Sequence, residues 1–254
     1  MVSRLLARAV LMLVAVLGLA ACTSSPSSPS SPSSPSSPSS PGSSSAVPSP
    51  ASPSPADPDV GPTNTAQVGV IGDSLTAAMI EYGLLEPALI EQGWAGTDIR
   101  LDGVAGRTID RPGPGSTSET IKTWRQDGFD PRVWLIALGT NDASDPVSQW
   151  QKEIRGVLNA INEGPAGNYT IYWVTTGYLE ADVNNQSLFL QTMHEIAGDY
   201  PNVIVADYGA FLDSHRDDPN WAAMWSDPVH HSEAGYKALR TPFYVTTLQP
   251  EAPG

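Results

Sequence analysis

From Ala66 to Gly254, short apolar runs of strand length alternate with segments of helical spacing. No other feature of the chain restricts its fold so tightly. The strand-like runs are Gln67–Ile71, Ile99–Gly103, Val133–Leu138, Tyr169–Thr175 and Val203–Ala206. Between them, apolar residues recur with helical spacing over Leu75–Gln92, Thr117–Trp124, Val147–Asn162 and Gln186–Ile196. A last such segment covers Ser232–Thr247, where Pro242 should break or kink the helix. Strands that alternate with helices predict an α/β domain with a parallel sheet covered on both faces. Val133–Leu138 is almost continuously apolar, as a central strand buried on both faces must be. Right-handed crossovers then give a three-layer α/β/α sandwich with strand order 2-1-3-4-5, an order that follows from the class and not from the residue pattern.

The segment before Ala66 has a different character. Residues 1–21 read as an export signal, with Arg4 and Arg8 as a basic start and an apolar run from Ala9 to Ala21. That run is shorter than the roughly 20 apolar residues of a membrane span. It ends in Leu19-Ala-Ala-Cys22, which resembles the lipobox of bacterial lipoproteins. The resemblance implies cleavage before Cys22, lipid on its sulfur, and a protein held outside the cytoplasm on the cell membrane by this anchor alone. Cys22 is the single cysteine, so no disulfide can form within the chain. Residues 22–65 are dominated by Ser, Pro and Ala, including a repeated Ser-Ser-Pro unit. They predict a disordered or polyproline-like tether that reaches on the order of 100 Å where extended. It reads equally well as a glycosylated spacer or as a bare one.

Residues 66–254 suit one domain. The chain carries a formal charge of −14, and only Arg4 and Arg8 of its basic residues lie outside this domain. A nucleic-acid partner would call for a basic stripe, and an anionic membrane surface for a basic patch, so both are excluded as partners.

Polar clusters follow the first three strands. Gly72-Asp73-Ser74 follows strand one, Gly103-Val-Ala-Gly106-Arg-Thr108 ends strand two, and Gly139-Thr-Asn141-Asp142 follows strand three. A fourth, Ser226-Asp227-Pro-Val-His230-His231, precedes the final helix. In a parallel sheet the first three fall at the carboxyl edge, where such sheets bind ligands. Ser74 alone reads either as part of a helix cap with Asp73 or as a nucleophile at a helix start.

Together these clusters resemble the SGNH, or GDSL, hydrolase family over nearly the whole domain. The resemblance implies a flavodoxin-like five-stranded sheet and a serine-dependent ester hydrolase. It implies Ser74 as nucleophile, with Asp227 and His230 as its partners. The oxyanion hole would comprise the amides of Ser74 and Gly106 and the side chain of Asn141. Gly103 is close enough in sequence to hold the role given to Gly106.

The chemistry calls for the same residue types. A serine hydroxyl needs a base, usually histidine, and the histidine needs a carboxylate to fix its tautomer. A carbonyl under attack needs donors already aimed at the developing oxyanion, each worth about 3–4 kcal/mol. His231 competes with His230 for the base, and the spacing from Asp227 favours His230. Asp73 and Asp142 read as structural. Trp221 and Trp225 suit either the substrate mouth or the core, while Arg107 and Arg111 read as solvated surface. No His/Cys/carboxylate cluster has metal spacing and no glycine loop cradles phosphate, so neither metal nor cofactor is expected. The expected substrate is a small-molecule or carbohydrate ester with a short acyl group, acted on by a monomer. Transfer of the acyl group to a cell-surface glycan is the alternative.

Overall fold

The computed structural model describes residues 67–113, 115–181 and 183–249. The export signal, Cys22 and the tether lie outside the described residues. Strands β1 (Val68–Gly72), β2 (Ile99–Gly103), β3 (Val133–Ala137), β4 (Thr170–Val174) and β5 (Val203–Ala206) form one parallel sheet in the order β2-β1-β3-β4-β5. The helices are α1 (Ser74–Glu81), α2 (Leu85–Glu91), α3 (Thr117–Gln126), α4 (Val147–Asn162), α5 (Gln186–Ala197), α6 (Tyr208–Asp213), α7 (Glu233–Gly235) and α8 (Thr241–Thr247). The expected strand order and three-layer build are both present.

The period of two along β3 explains the layers. Trp134 and Ile136 point into one core with Trp124 of α3, Ile154 of α4 and Met193 of α5. Leu135 and Ala137 point into the other, with Met79 of α1, Leu89 of α2, Leu212 of α6 and Tyr244 of α8. Burying a side chain of this kind is worth about 1.5–3 kcal/mol. Both faces of β3 therefore hold their helices in place.

Two helical expectations need correction. The segment Leu75–Gln92 is two helices, because Gly83 takes φ +63° and ends the first one. Leu84 N donates to Met79 O at 2.9 Å and Gly83 N to Ile80 O at 3.0 Å, a Schellman stop. At the other end of the domain, Pro242 does not break the helical path. A π-helical turn, Tyr236–Arg240, precedes it, and Pro242 sits in the first turn of α8, where a missing N–H is tolerated.

Parallel register brings the site together. Gly72 pairs with Gly103 on one side and with Ala137 on the other, so β2, β1 and β3 end side by side. The polar clusters that follow them share one edge. The loop carrying Asp227 and His230 joins that edge from beyond β4, fastened by Leu179 N to Pro228 O at 3.0 Å.

Candidate active site

The helix cap and the contact with His230 are divided between two adjacent residues. Asp73 is the N-cap of α1, and its Oδ1 accepts Leu75 N at 2.9 Å. It is fully buried, and burial raises its carboxyl above the usual range. Ser74 is thereby left free of capping duty. Its Oγ lies 2.9 Å from His230 Nε2.

His230 is oriented from its other side. Its Nδ1 is 2.8 Å from Asp227 Oδ2, while Asp227 Oδ1 accepts the amides of Val229 at 2.8 Å and His230 at 2.7 Å. A carboxylate can only accept, so Nδ1 carries the proton and Nε2 is the acceptor for the Ser74 hydroxyl. Partial desolvation opposes ionisation of Asp227, yet the two amides and the imidazole outweigh it and hold the carboxyl below its ordinary range. This tautomer is the one a general base requires.

His231 has different surroundings. Its Nδ1 donates to Met224 O at 3.3 Å, and its Nε2 lies 2.6 Å from the Tyr208 hydroxyl. Burial, helped by the Arg240 cation, pushes its pKa down to about 3. It is a neutral core residue.

The second and third clusters frame the space beside Ser74. Arg107 N donates to Val104 O at 3.1 Å, closing a tight turn with Gly106 at φ +77°. Gly103 serves packing instead, since a Cβ there would lie 2.3 Å from Ala77 N in α1. Among the described residues, the amides of Ser74 and Gly106 donate to no protein acceptor. Asn141 Nδ2 donates to Arg107 O at 2.9 Å, which fixes the amide's orientation and leaves a second N–H. Asp142 is buried behind it and accepts Ile109 N at 3.2 and 3.1 Å, tying the second cluster to the third. Burial raises the Asp142 carboxyl to about 7.

Arg107 corrects the expectation of a solvated surface residue. Its side chain is 3% exposed and donates to Gly72 O, Asp102 O, Gly115 O and the Asp102 carboxylate. No periodicity marks it in the loop after β2, and its ion partner Asp102 shares that strand with a second charged residue, Arg100. Arg111, by contrast, is half exposed and pairs with Asp145 at 2.5 Å. Trp225 is buried and packs on His231 at 4.0 Å between ring centroids, while Trp221 is half-buried beside it. Sequence reasoning also passed over Arg240. It is buried over the Tyr208 ring and donates to the Tyr244 hydroxyl, which in turn meets Thr76 Oγ1 of α1 at 3.2 Å.

Residues 70–238 match the family model of the GDSL-like Lipase/Acylhydrolase family. The chain belongs to that family. The matched span contains every GDSL-type cluster described above, from β1 to the turn before α8. Comparison with curated protein sequences returns no match.

Solved structures share the GDSL-type fold at low identity. The C-terminal catalytic domain of peptidoglycan O-acetyltransferase A from Streptococcus pneumoniae, solved with a methylsulfonyl adduct, is 19% identical with a TM-score of 0.53; the match covers 72% of this chain and 93% of that one. An acetylxylan esterase from Geobacillus stearothermophilus is 17% identical with a TM-score of 0.54, covering 74% and 95%. A carbohydrate acetylesterase family member from Sinorhizobium meliloti is 17% identical with a TM-score of 0.51, covering 72% and 98%.

Proposed function

We propose that this family member is a serine esterase that cleaves short-acyl or acetylated carbohydrate esters through an acyl-serine intermediate. The observation that carries the reading is the relay Ser74 Oγ, His230 Nε2, His230 Nδ1, Asp227 Oδ2, with contacts of 2.9 and 2.8 Å. Ser74 Oγ bonds to the ester carbonyl carbon while its proton passes to His230 Nε2. The amides of Ser74 and Gly106 and the free N–H of Asn141 receive the oxyanion. The intermediate collapses, and the departing alkoxide takes the proton from His230. Water then enters by the same route, frees the carboxylic acid and restores Ser74.

An exposed site suits a bulky alcohol. The His230 and Asp227 side chains are 40% and 48% exposed, leaving room for a glycan beside the scissile bond. The decisive experiment is Ser74→Ala assayed on nitrophenyl esters and acetylated xylan. Loss of at least about a thousandfold in kcat is expected, and undiminished turnover would sink the mechanism.

Likeness to an O-acetyltransferase domain supports a second reading, in which a glycan hydroxyl replaces water in the second half-reaction. Acetylated sugar formed from nitrophenyl acetate and peptidoglycan fragments would establish transfer; hydrolysis indifferent to every acceptor would exclude it. We place the enzyme outside the cytoplasm as a lipoprotein anchored through Cys22. Cys22→Ala should abolish labelling with radioactive palmitate, and persistent labelling would refute the anchor.

A further inference from the structure

Arg107 joins all three segments that would supply the oxyanion donors. Its Nη1 donates to the Gly72 carbonyl at 3.2 Å, two residues before Ser74. The same Nη1 reaches Asp102 O at 3.1 Å, and Nη2 reaches the Asp102 carboxylate at 2.9 Å, both at the end of β2. Nε holds Gly115 O at 3.0 Å on the far side of the loop, and Nη2 lies 3.4 Å from Thr120 Oγ1 in α3. Its own carbonyl accepts Asn141 Nδ2 at 2.9 Å. One residue thus touches the ends of β1 and β2 and the turn after β3, and it adjoins Gly106 in the chain.

The energetics argue against simple packing. Burying a cation costs several kcal/mol before its partners offset the cost, and apolar side chains often replace buried ion pairs without loss of stability. Apolar atoms, however, cannot fix the positions of carbonyl groups from three separate segments. A guanidinium can, because its planar fork presents five donors in set directions. Lysine offers the charge without the fork.

We propose that Arg107 is the positioning residue of the oxyanion hole, holding the amides of Ser74 and Gly106 and the Asn141 side chain in one frame. It touches no reacting atom. The proposal rests on the esterase reading above, since without that chemistry there is no oxyanion to receive.

Arg107→Lys and Asp102→Asn, measured beside Ser74→Ala, test it. Displacing donors by about 1 Å costs on the order of a hundredfold in rate. Arg107→Lys should therefore lose about that factor in kcat on nitrophenyl acetate, with KM within about twofold. Inhibition by a boronic acid, which forms a tetrahedral adduct on serine, should weaken by a similar factor. Asp102→Asn should show the same pattern to a smaller degree. Methylguanidine added to a folded Arg107→Ala variant should restore part of kcat, and methylamine should not. A folded Arg107→Lys variant with native kcat, or rate losses that vanish on cooling as the variants refold, would overturn the proposal. So would failure of every Arg107 variant to fold at any temperature, which would assign the residue to stability alone. Full activity in Ser74→Ala would instead strike at the esterase reading itself, a separate result.

Discussion

A single peptide bond separates His230, which faces Ser74, from His231, which faces the Tyr208 hydroxyl. Spacing from Asp227 distinguished them in the sequence, but burial could not be read there, because both follow the same turn. The difference comes from the bridge between Trp225 and His231, which turns the second ring into the core. Its consequence is measurable. A folded-state histidine held near 3, against an unfolded value near 6.5, is neutral where the unfolded chain binds a proton. The native state therefore loses stability as pH falls from about 6.5 towards 3, by about 1.4 kcal/mol per unit for this one group. His231→Gln should flatten that part of the stability curve while leaving kcat within a fewfold of native. His230→Gln should instead remove on the order of a thousandfold in kcat. Denaturant midpoints across pH 4–7, with esterase rates at pH 7, separate the two. Equal acid sensitivity in native protein and His231→Gln would show that the buried ring is not the titrating group.

The loop after β2 shows which parts of an element are legible and which are not. Gly106 was the candidate for the oxyanion position, but Gly103, three residues away, could have held the role, because composition carries no record of what stands over a Cα. Packing distinguishes them. A methyl group on Gly103 would meet backbone atoms of α1, which cannot yield without moving the helix that carries Ser74. Gly103→Ala should cost at least about 1–3 kcal/mol as an overpacked site, and lower the melting temperature and kcat together. Gly106 has open space around it and a φ of +77°, so alanine there meets only the penalty for a left-handed backbone, about 1–2 kcal/mol. Gly106→Ala should melt a few degrees below native yet lose at least about tenfold in kcat at constant KM, since relaxing the turn re-aims its amide. Calorimetry beside steady-state kinetics decides it. If Gly106→Ala keeps native kcat, its amide is not a donor to the reaction. The buried carboxyl of Asp142, tied to Ile109 N, was anticipated as structural and is so placed. Arg107 was not anticipated, because loop residues carry no periodicity to reveal an inward side chain.

On the scale of the molecule, alternation of strand and helix patterns sufficed for the layers, and the class supplied the strand order. What it could not show was how the two edges of the sheet divide their labour. The carboxyl edge carries the clusters around Ser74, while the amino edge is locked by charge. There Arg125 Nε pairs with Asp130 Oδ1 at 2.7 Å, and its guanidinium meets the carbonyls of Ala160 and Ile161 at the end of α4. Asp130 Oδ2 accepts the Tyr169 hydroxyl at 2.6 Å and Ala166 N at 2.9 Å, joining the entries to β3 and β4. Removing one partner from hydrogen bonds to a charged group costs about 1.5–3 kcal/mol. Arg125→Ala and Asp130→Asn should therefore lower stability by that order at pH 7 and leave kcat/KM within about twofold, because no residue of the relay is touched. The pH dependence identifies the cause. Partial desolvation opposes ionisation of Asp130, but Tyr169, Arg125 and the Ala166 amide outweigh it and hold the carboxyl below its ordinary value of 3.8. A depressed carboxyl stabilises the fold above its unfolded pKa, and that stabilisation is lost as pH falls through the folded value. The gap between native protein and Asp130→Asn should thus be full at pH 7 and shrink as the pH is taken below about 4. Urea midpoints at pH 7, 4 and 3 measure it. A gap that stays constant to pH 3 would mean that the amino edge is held by packing and neutral hydrogen bonds, not by the charge on Asp130.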